Sequence, residues 1–184
     1  MKKSKNVFCY SCIDFNNIMQ KNGWYTSKDL PKNVAIISIG APWNEGEKHW
    51  FDYSSANILN IDFDDVDPTQ WWNGQDLYDN ALKDADQSKY FSHTLYTNFE
   101  KIYLHAMDYN QAKKIVTFIE IHNDCDFYIH CSAGISRSQG IVRYILDIYG
   151  DEYDIKTNPN NPCLCPNTHV VIMLKRIYRL FDIY

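Results

Sequence analysis

The clearest signal in the hydrophobic pattern is Val34-Ala35-Ile36-Ile37-Ser38-Ile39, apolar but for one serine. Such a run suits a strand covered on both faces, and Gly40-Ala41-Pro42 closes it. Upstream, Asn6 to Tyr10 predicts a shorter strand. Phe15, Ile18 and Met19 then recur at i, i+3 and i+4 as on one face of a helix, with Gly23 placed to cap it. Asn44 to His49 is polar and predicts a loop. Asn57 to Phe63 predicts the next strand, which runs into Asp64-Asp65-Val66-Asp67-Pro68, a loop by its proline and clustered acids. From Thr69 to Met107 the pattern weakens. Leu77, Tyr78, Ala81, Leu82 and Ala85 fit one short helix, and Leu95, Tyr96, Phe99, Ile102 and Tyr103 fit another. Asp108 reads as an N-cap for a helix burying Ala112, Ile115, Val116, Phe118 and Ile119. A strand, Asp126 to His130, and a helix, Gln139 to Tyr149, follow. That helix buries Ile141, Val142, Tyr144, Ile145 and Ile148 and stops at Gly150. Asp151 to Pro166, rich in Asn and Pro, predicts a loop. Asn167 or Thr168 caps a last helix with apolar positions Val170, Val171, Met173, Leu174, Ile177, Tyr178 and Phe181.

Strands alternating with helices predict an α/β fold, a central and mostly parallel sheet of four to five strands flanked by helices. The 184 residues suit a single domain spanning 1–184. In such a sheet the acidic loop after Phe63 and the segment after His130 both leave the carboxyl edge, where α/β proteins place their sites. A net charge of −5 argues against nucleic acid or an anionic membrane surface as a general partner. No apolar run approaches the ~20 residues of a membrane span. Met1-Lys2-Lys3 opens like a secretory leader, but Ser11, Asp14 and Asn16 interrupt what would be its apolar core. The expected location is the cytoplasm.

The chemistry concentrates in His130-Cys131-Ser132-Ala133-Gly134-Ile135-Ser136-Arg137-Ser138, a tight loop between a strand and a helix. The first N–H groups of a helix have no intrahelical partner and carry the positive end of its dipole, so they bind a phosphate dianion well. Gly134 lets the loop turn where a Cβ would clash. Small Ser132 and Ala133 let successive N–H groups point inward as an anion nest. Arg137 adds a bidentate fork for two phosphate oxygens. Cys131, at the base of this positive bowl, is expected to ionise well below the ~8.5 of a free thiol. The loop therefore aims a nucleophile at a bound phosphorus. The bland alternative is a buried strand cysteine followed by a surface helix.

These residues closely resemble the signature loop of the cysteine-dependent protein tyrosine phosphatases, His-Cys-x-x-Gly-x-x-Arg-Ser/Thr, and in wording the dual-specificity branch. A strand, the Ile37-Ser38-Ile39 segment ending in a proline, and Phe63-Asp64-Asp65 are similar to a bacterial and phage group of predicted tyrosine phosphatases. The resemblance implies the compact fold of that family. It also implies dephosphorylation of phosphotyrosine, with phosphoserine and phosphothreonine possible substrates, and no cofactor or metal. Cys131 would be the nucleophile and Arg137 the phosphate clamp. Ser132, Ala133, Gly134, Ile135 and Ser136 would cradle the phosphate, His130 would hydrogen-bond backbone and steady the thiolate, and Ser138 would donate to the Cys131 sulfur.

Family members also carry an aspartic acid, just past an earlier strand, that protonates the leaving oxygen. Asp64, Asp65 and Asp67 all compete for this role, while Asp62 reads as a solvated strand residue. The setting of Asp65 is most similar to that of the family acid. Asp65 precedes Cys131 by 66 residues (131 − 65), about twice the interval in compact members, so Thr69–Met107 is expected to be an insertion or lid. Trp71 and Trp72 there suit lid packing or the wall of an aromatic slot. Cys9, Cys12, Cys163 and Cys165 permit a zinc site, or a redox partner for Cys131, or ordinary packing. Cys125 is excluded as that partner, since six extended residues separate it from Cys131 by roughly 20 Å. Two rival functions stay open: the same chemistry on an inositol phosphate or a nucleotide, and a non-catalytic phosphate-binding module.

Overall fold

The computed structural model describes residues 5–41, 48–70, 92–96, 101–157 and 165–181. The fold is α/β, built on five parallel strands: β1 (Lys5–Ser11), β2 (Val34–Gly40), β3 (Ile58–Asp62), β6 (Asp126–Cys131) and β7 (Tyr153–Thr157). Their order across the sheet is β3-β2-β6-β1-β7. An antiparallel pair, β4 (Ser92–Tyr96) and β5 (Lys101–His105), stands apart from it. Four helices lie among the described residues: α1 (Cys12–Asn22), α2 (Tyr109–Ile121), α3 (Arg137–Tyr149) and α4 (Thr168–Phe181). None is long and apolar enough to cross a membrane.

All seven residues of β2 are buried, and they divide by parity between two cores. Val34 and Ile36 pack with Phe15 and Met19 of α1 and with Ile58. Ala35, Ile37 and Ile39 face the larger core, shared with Ile115 and Ile119 of α2, Val142 and Ile145 of α3, and Met173 and Leu174 of α4. The period of two along a strand forces this division, which is why an unbroken apolar run was needed there.

The helices begin and end where their termini can be satisfied. Ser11 accepts from the Asp14 N–H at the start of α1, and Gly23 closes it at φ 70°. Asp108 and Gln111 form a reciprocal capping box on α2. Asn167 Oδ1 accepts from Val170 N–H at 3.1 Å and caps α4.

Strand β6 fills the slot between β1 and β2, with Ser11 opposite Cys131 and Ser38 opposite His130. Because every strand of the sheet runs the same way, the carboxyl ends of β1, β2, β3 and β6 share one edge. The chain passes over the central slot on going from β1 to β2, and this makes a crevice at that edge.

Two expectations are corrected. Leu95, Tyr96, Ile102 and Tyr103 lie in strands and not in a helix, with Leu95 opposite Ile102 in the antiparallel β4–β5 pair, while Phe99 lies outside the described residues. His93-Thr94-Leu95-Tyr96 and Lys101-Ile102-Tyr103-Leu104 are rich in β-branched and aromatic types, so strand preference prevails over an incidental helical spacing. Within the expected loop after Gly150, Tyr153–Thr157 is an edge strand whose Asp154, Ile155 and Lys156 are exposed. An edge strand that covers little core needs no apolar pattern, which hid it. The helix expected over Leu77–Ala85, the lid role of Trp71 and Trp72, and most of the loop at 44–49 lie outside the described residues.

Two buried histidines set the acid sensitivity of this fold. Burial pushes His169 down to about 4, against a weaker pull from the Met107 carbonyl that its ring bonds at 2.7 Å. Burial also pushes His130 down to about 3, helped by the nearby His49. Below about pH 6.5 the unfolded chain takes up these protons while the folded chain does not. Stability is therefore full at neutral pH and falls as the pH drops towards 4. At pH 5 the expected loss is about 2 kcal/mol per histidine, read as a lower Tm than at pH 7. His169→Gln should remove roughly half of that pH dependence.

Candidate active site

The loop from β6 into α3 is held open by bonds to its outer side. Ser132 O accepts from Cys12 N–H at 3.0 Å, and Gly134 O from Gln139 Nε2 at 3.2 Å. Ser136 O accepts from Gly140 N–H at 2.9 Å and Asn167 N–H at 3.1 Å. In a trans peptide the C=O and the next N–H point opposite ways. Tying those three carbonyls outward therefore turns the Ala133, Ile135 and Arg137 amides inward, which is the nest the sequence implies. Gly134 makes the turn at φ 70°, and a Cβ there would lie 2.6 Å from Ser11 N and Tyr10 C. Gly134→Ala should cost about 2–5 kcal/mol, from the left-handed backbone and the overpacking together, and weaken phosphate binding. Urea unfolding and phosphate titration read the two effects.

Cys131 ends β6, 2% exposed, with its sulfur 3.1 Å from Ser138 Oγ. Ser138 also accepts from the Cys9 thiol at 3.2 Å. A hydroxyl has one proton, so accepting from Cys9 leaves that proton for the Cys131 sulfur. Burial pushes Cys9 up to about 12, which keeps it a protonated donor. His130 stacks on Phe15, ring centroids 4.0 Å apart, and is held neutral. Its ring acts as packing beneath the loop, with no charge to offer the sulfur.

Arg137 opens α3 and is 4% exposed; its Nη1 donates to Gly40 O and Phe63 O, each at 3.0 Å. Two strand ends thus hold the guanidinium from behind. Gly40 is in turn covered by a clasp in which His49 bridges Ser38 Oγ (2.6 Å) and Asp62 Oδ1 (3.0 Å). Asp62, expected to be solvated, is exposed but engaged there.

The remaining three acids have different tasks. Asp64 is buried and pinned to β5: its N–H donates to His105 O, and its Oδ2 accepts from His105 N–H at 2.7 Å. Asp67 accepts from Thr69 N–H and Oγ1 and from Thr168 N–H at the start of α4. Asp65 is exposed and reaches the phosphate loop, accepting from Ser136 Oγ at 2.6 Å and Asn167 Nδ2 at 3.2 Å, both on Oδ1.

Cys131, Ser132, Ala133, Ser136, Arg137, Asp64 and Asp65, with Ala41 and Leu104, line one cavity of about 270 Å³. A thiol, a guanidinium and two carboxyl groups thus meet in a space the size of a small anion. No family model, curated protein or solved structure matches this chain.

Sequence reasoning brought together Cys131, Arg137, Asp65, Ser138 and the small loop residues. It missed Cys9, Gln139 and Asn167 as supports, because each acts through a tertiary contact that no local pattern announces. Cys163 lies outside the described residues, and with it the four-cysteine grouping. Cys125 bonds near Lys32 O at the far end of β6. A larger groove of about 620 Å³ beside α2 is lined by Leu59, Lys113, Lys114, Thr117, Phe118 and Ile121, with no cysteine among its lining residues.

Proposed function

We propose that the protein is a phosphomonoester hydrolase of the cysteine-dependent tyrosine phosphatase type. The observation that carries this is the cavity in which Cys131, Arg137 and Asp65 meet above a loop whose carbonyls are tied outward. Cys131 thiolate attacks phosphorus in line, forming the S–P bond as the ester P–O bond breaks. Arg137 and the inward amides hold the equatorial oxygens through the transition state. Asp65 gives its proton to the departing oxygen, then takes one from the water that cleaves the S–P bond and releases phosphate. The Ser138 hydroxyl stabilises the returning thiolate. The scheme uses no metal or cofactor, and free-thiol chemistry suits a reducing compartment such as the cytoplasm.

The substrate in this reading is phosphotyrosine in a protein, with phosphoserine and phosphothreonine as further esters. Among the described lining residues Arg137 is the one cation, and it stands beside two carboxylates. A polyanion such as an inositol polyphosphate or a nucleotide meets net repulsion there beyond its first phosphate.

Asp65→Asn tests the scheme. A nitrophenolate leaves unaided, whereas a tyrosine phenolate needs the proton. The variant should lose little on p-nitrophenyl phosphate and roughly 10²–10⁴-fold on phosphotyrosine peptides. Asp64→Asn and Asp67→Asn are run in parallel; leaving-group dependence in one of these instead would move the acid. Tight phosphopeptide binding by the wild type without turnover would support a binding module and sink the enzyme.

A further inference from the structure

Asn167 lies where the acid loop, the phosphate loop and α4 converge, and it is 4% exposed. Its backbone N–H donates to Ser136 O at 3.1 Å, and its Oδ1 caps α4 by accepting from Val170 N–H. Its Nδ2 donates twice, to Val66 O at 3.1 Å and to Asp65 Oδ1 at 3.2 Å. A backbone N–H on one side and a backbone C=O on the other leave a single orientation for the amide. With Ser136 Oγ also on Oδ1, Asp65 accepts among the described residues through that oxygen alone. Oδ2 is then the oxygen available for proton transfer in the proposed scheme.

We infer that Asn167 is the positioning residue of the general acid. It fixes Asp65 to the phosphate loop through Oδ1, so that protonated Oδ2 is presented to the leaving oxygen. The inference rests on the phosphatase reading above. A helix cap alone would need only the Val170 bond. The two Nδ2 bonds reach 101 and 102 residues back, to the acid loop, and add nothing to capping.

Asn167→Ser separates the two roles. Serine is an equally good N-cap but is too short to reach Asp65 or Val66. In the wild-type background it should lower kcat on a phosphotyrosine peptide about tenfold, a part of the roughly 10²–10⁴ that positioned proton transfer supplies. On p-nitrophenyl phosphate kcat should fall less than about twofold, with KM unchanged on both. Added to Asp65→Asn it should cause no further loss, since a residue acting through another is silent once that other is gone. Asn167→Asp, a second good cap without the amide donors, should reproduce the pattern if the serine variant folds poorly. An unchanged substrate ratio, or a loss that persists on Asp65→Asn, overturns the inference while the phosphatase reading stands. A wild type that hydrolyses neither substrate overturns both.

Discussion

Cys131→Ser is expected to abolish turnover while phosphate and vanadate still bind. A serine hydroxyl in the same place is not ionised near neutral pH and forms no good leaving group from phosphorus, so both chemical steps fail. The loss should be on the order of 10⁴-fold or more, as when the nucleophile is removed from a concerted site. The anion bowl does not depend on the sulfur: its carbonyls are tied to Cys12, Gln139, Gly140 and Asn167, and Arg137 to Gly40 and Phe63. In the wild type, phosphate should protect Cys131 from iodoacetate, because the anion would fill the cavity that the sulfur lines. Burial holds Cys9 at about 12 and Cys125 at about 11, so neither competes. Peptide mapping of the carboxymethyl group reads the result. Activity retained in the serine variant would end the covalent mechanism.

Arg137→Lys should cost about 2–4 kcal/mol in kcat/KM, roughly 30- to 900-fold, although the charge is kept. The guanidinium has two jobs, since Nη1 is committed to the Gly40 and Phe63 carbonyls while the planar group still lines the cavity. A lysine ammonium has no fork with which to serve both sides. It also leaves a buried carbonyl unsatisfied, so the variant should lose about 1–3 kcal/mol of stability. A change under threefold on phosphotyrosine would mean that Arg137 does not touch phosphate. Phosphate affinity measured by calorimetry separates weakened binding from slowed chemistry.

The parts of this molecule that speak through short-range pattern were legible before the coordinates. Val34–Ile39 read as a doubly covered strand, Asp108 as the start of a helix, and Cys131 with Arg137 as members of one loop. Asp65 was separable from Asp64 and Asp67 only by resemblance. The coordinates supply a physical ground, since Asp64 is pinned to the His105 backbone and Asp67 to the start of α4. The hairpin and the edge strand β7 were misread because neither presents a one-sided apolar stripe over a long enough stretch. The supports at Cys9 and Asn167 could not be read at all. Each is an ordinary residue in its own segment and acquires its role from a neighbour more than a hundred positions away.

That last property bears on how the molecule becomes competent. Asn6 bonds Asp126 across 120 positions, Cys9 meets Ser138 across 129, and Gly40 meets Arg137 across 97. Strand β6 cannot take its place until two strands formed much earlier in the chain have left a gap for it. Closing loops of that length before any contact rewards them is slow, and parallel pairing of this kind gives a high contact order. A fragment carrying only β6, the loop and α3 would have the whole signature but lack the ties to Cys12, Asn167, Gly40 and Phe63, so it should bind phosphate poorly. Anion affinity therefore reports completion of the fold, and during refolding it should appear with the last kinetic phase.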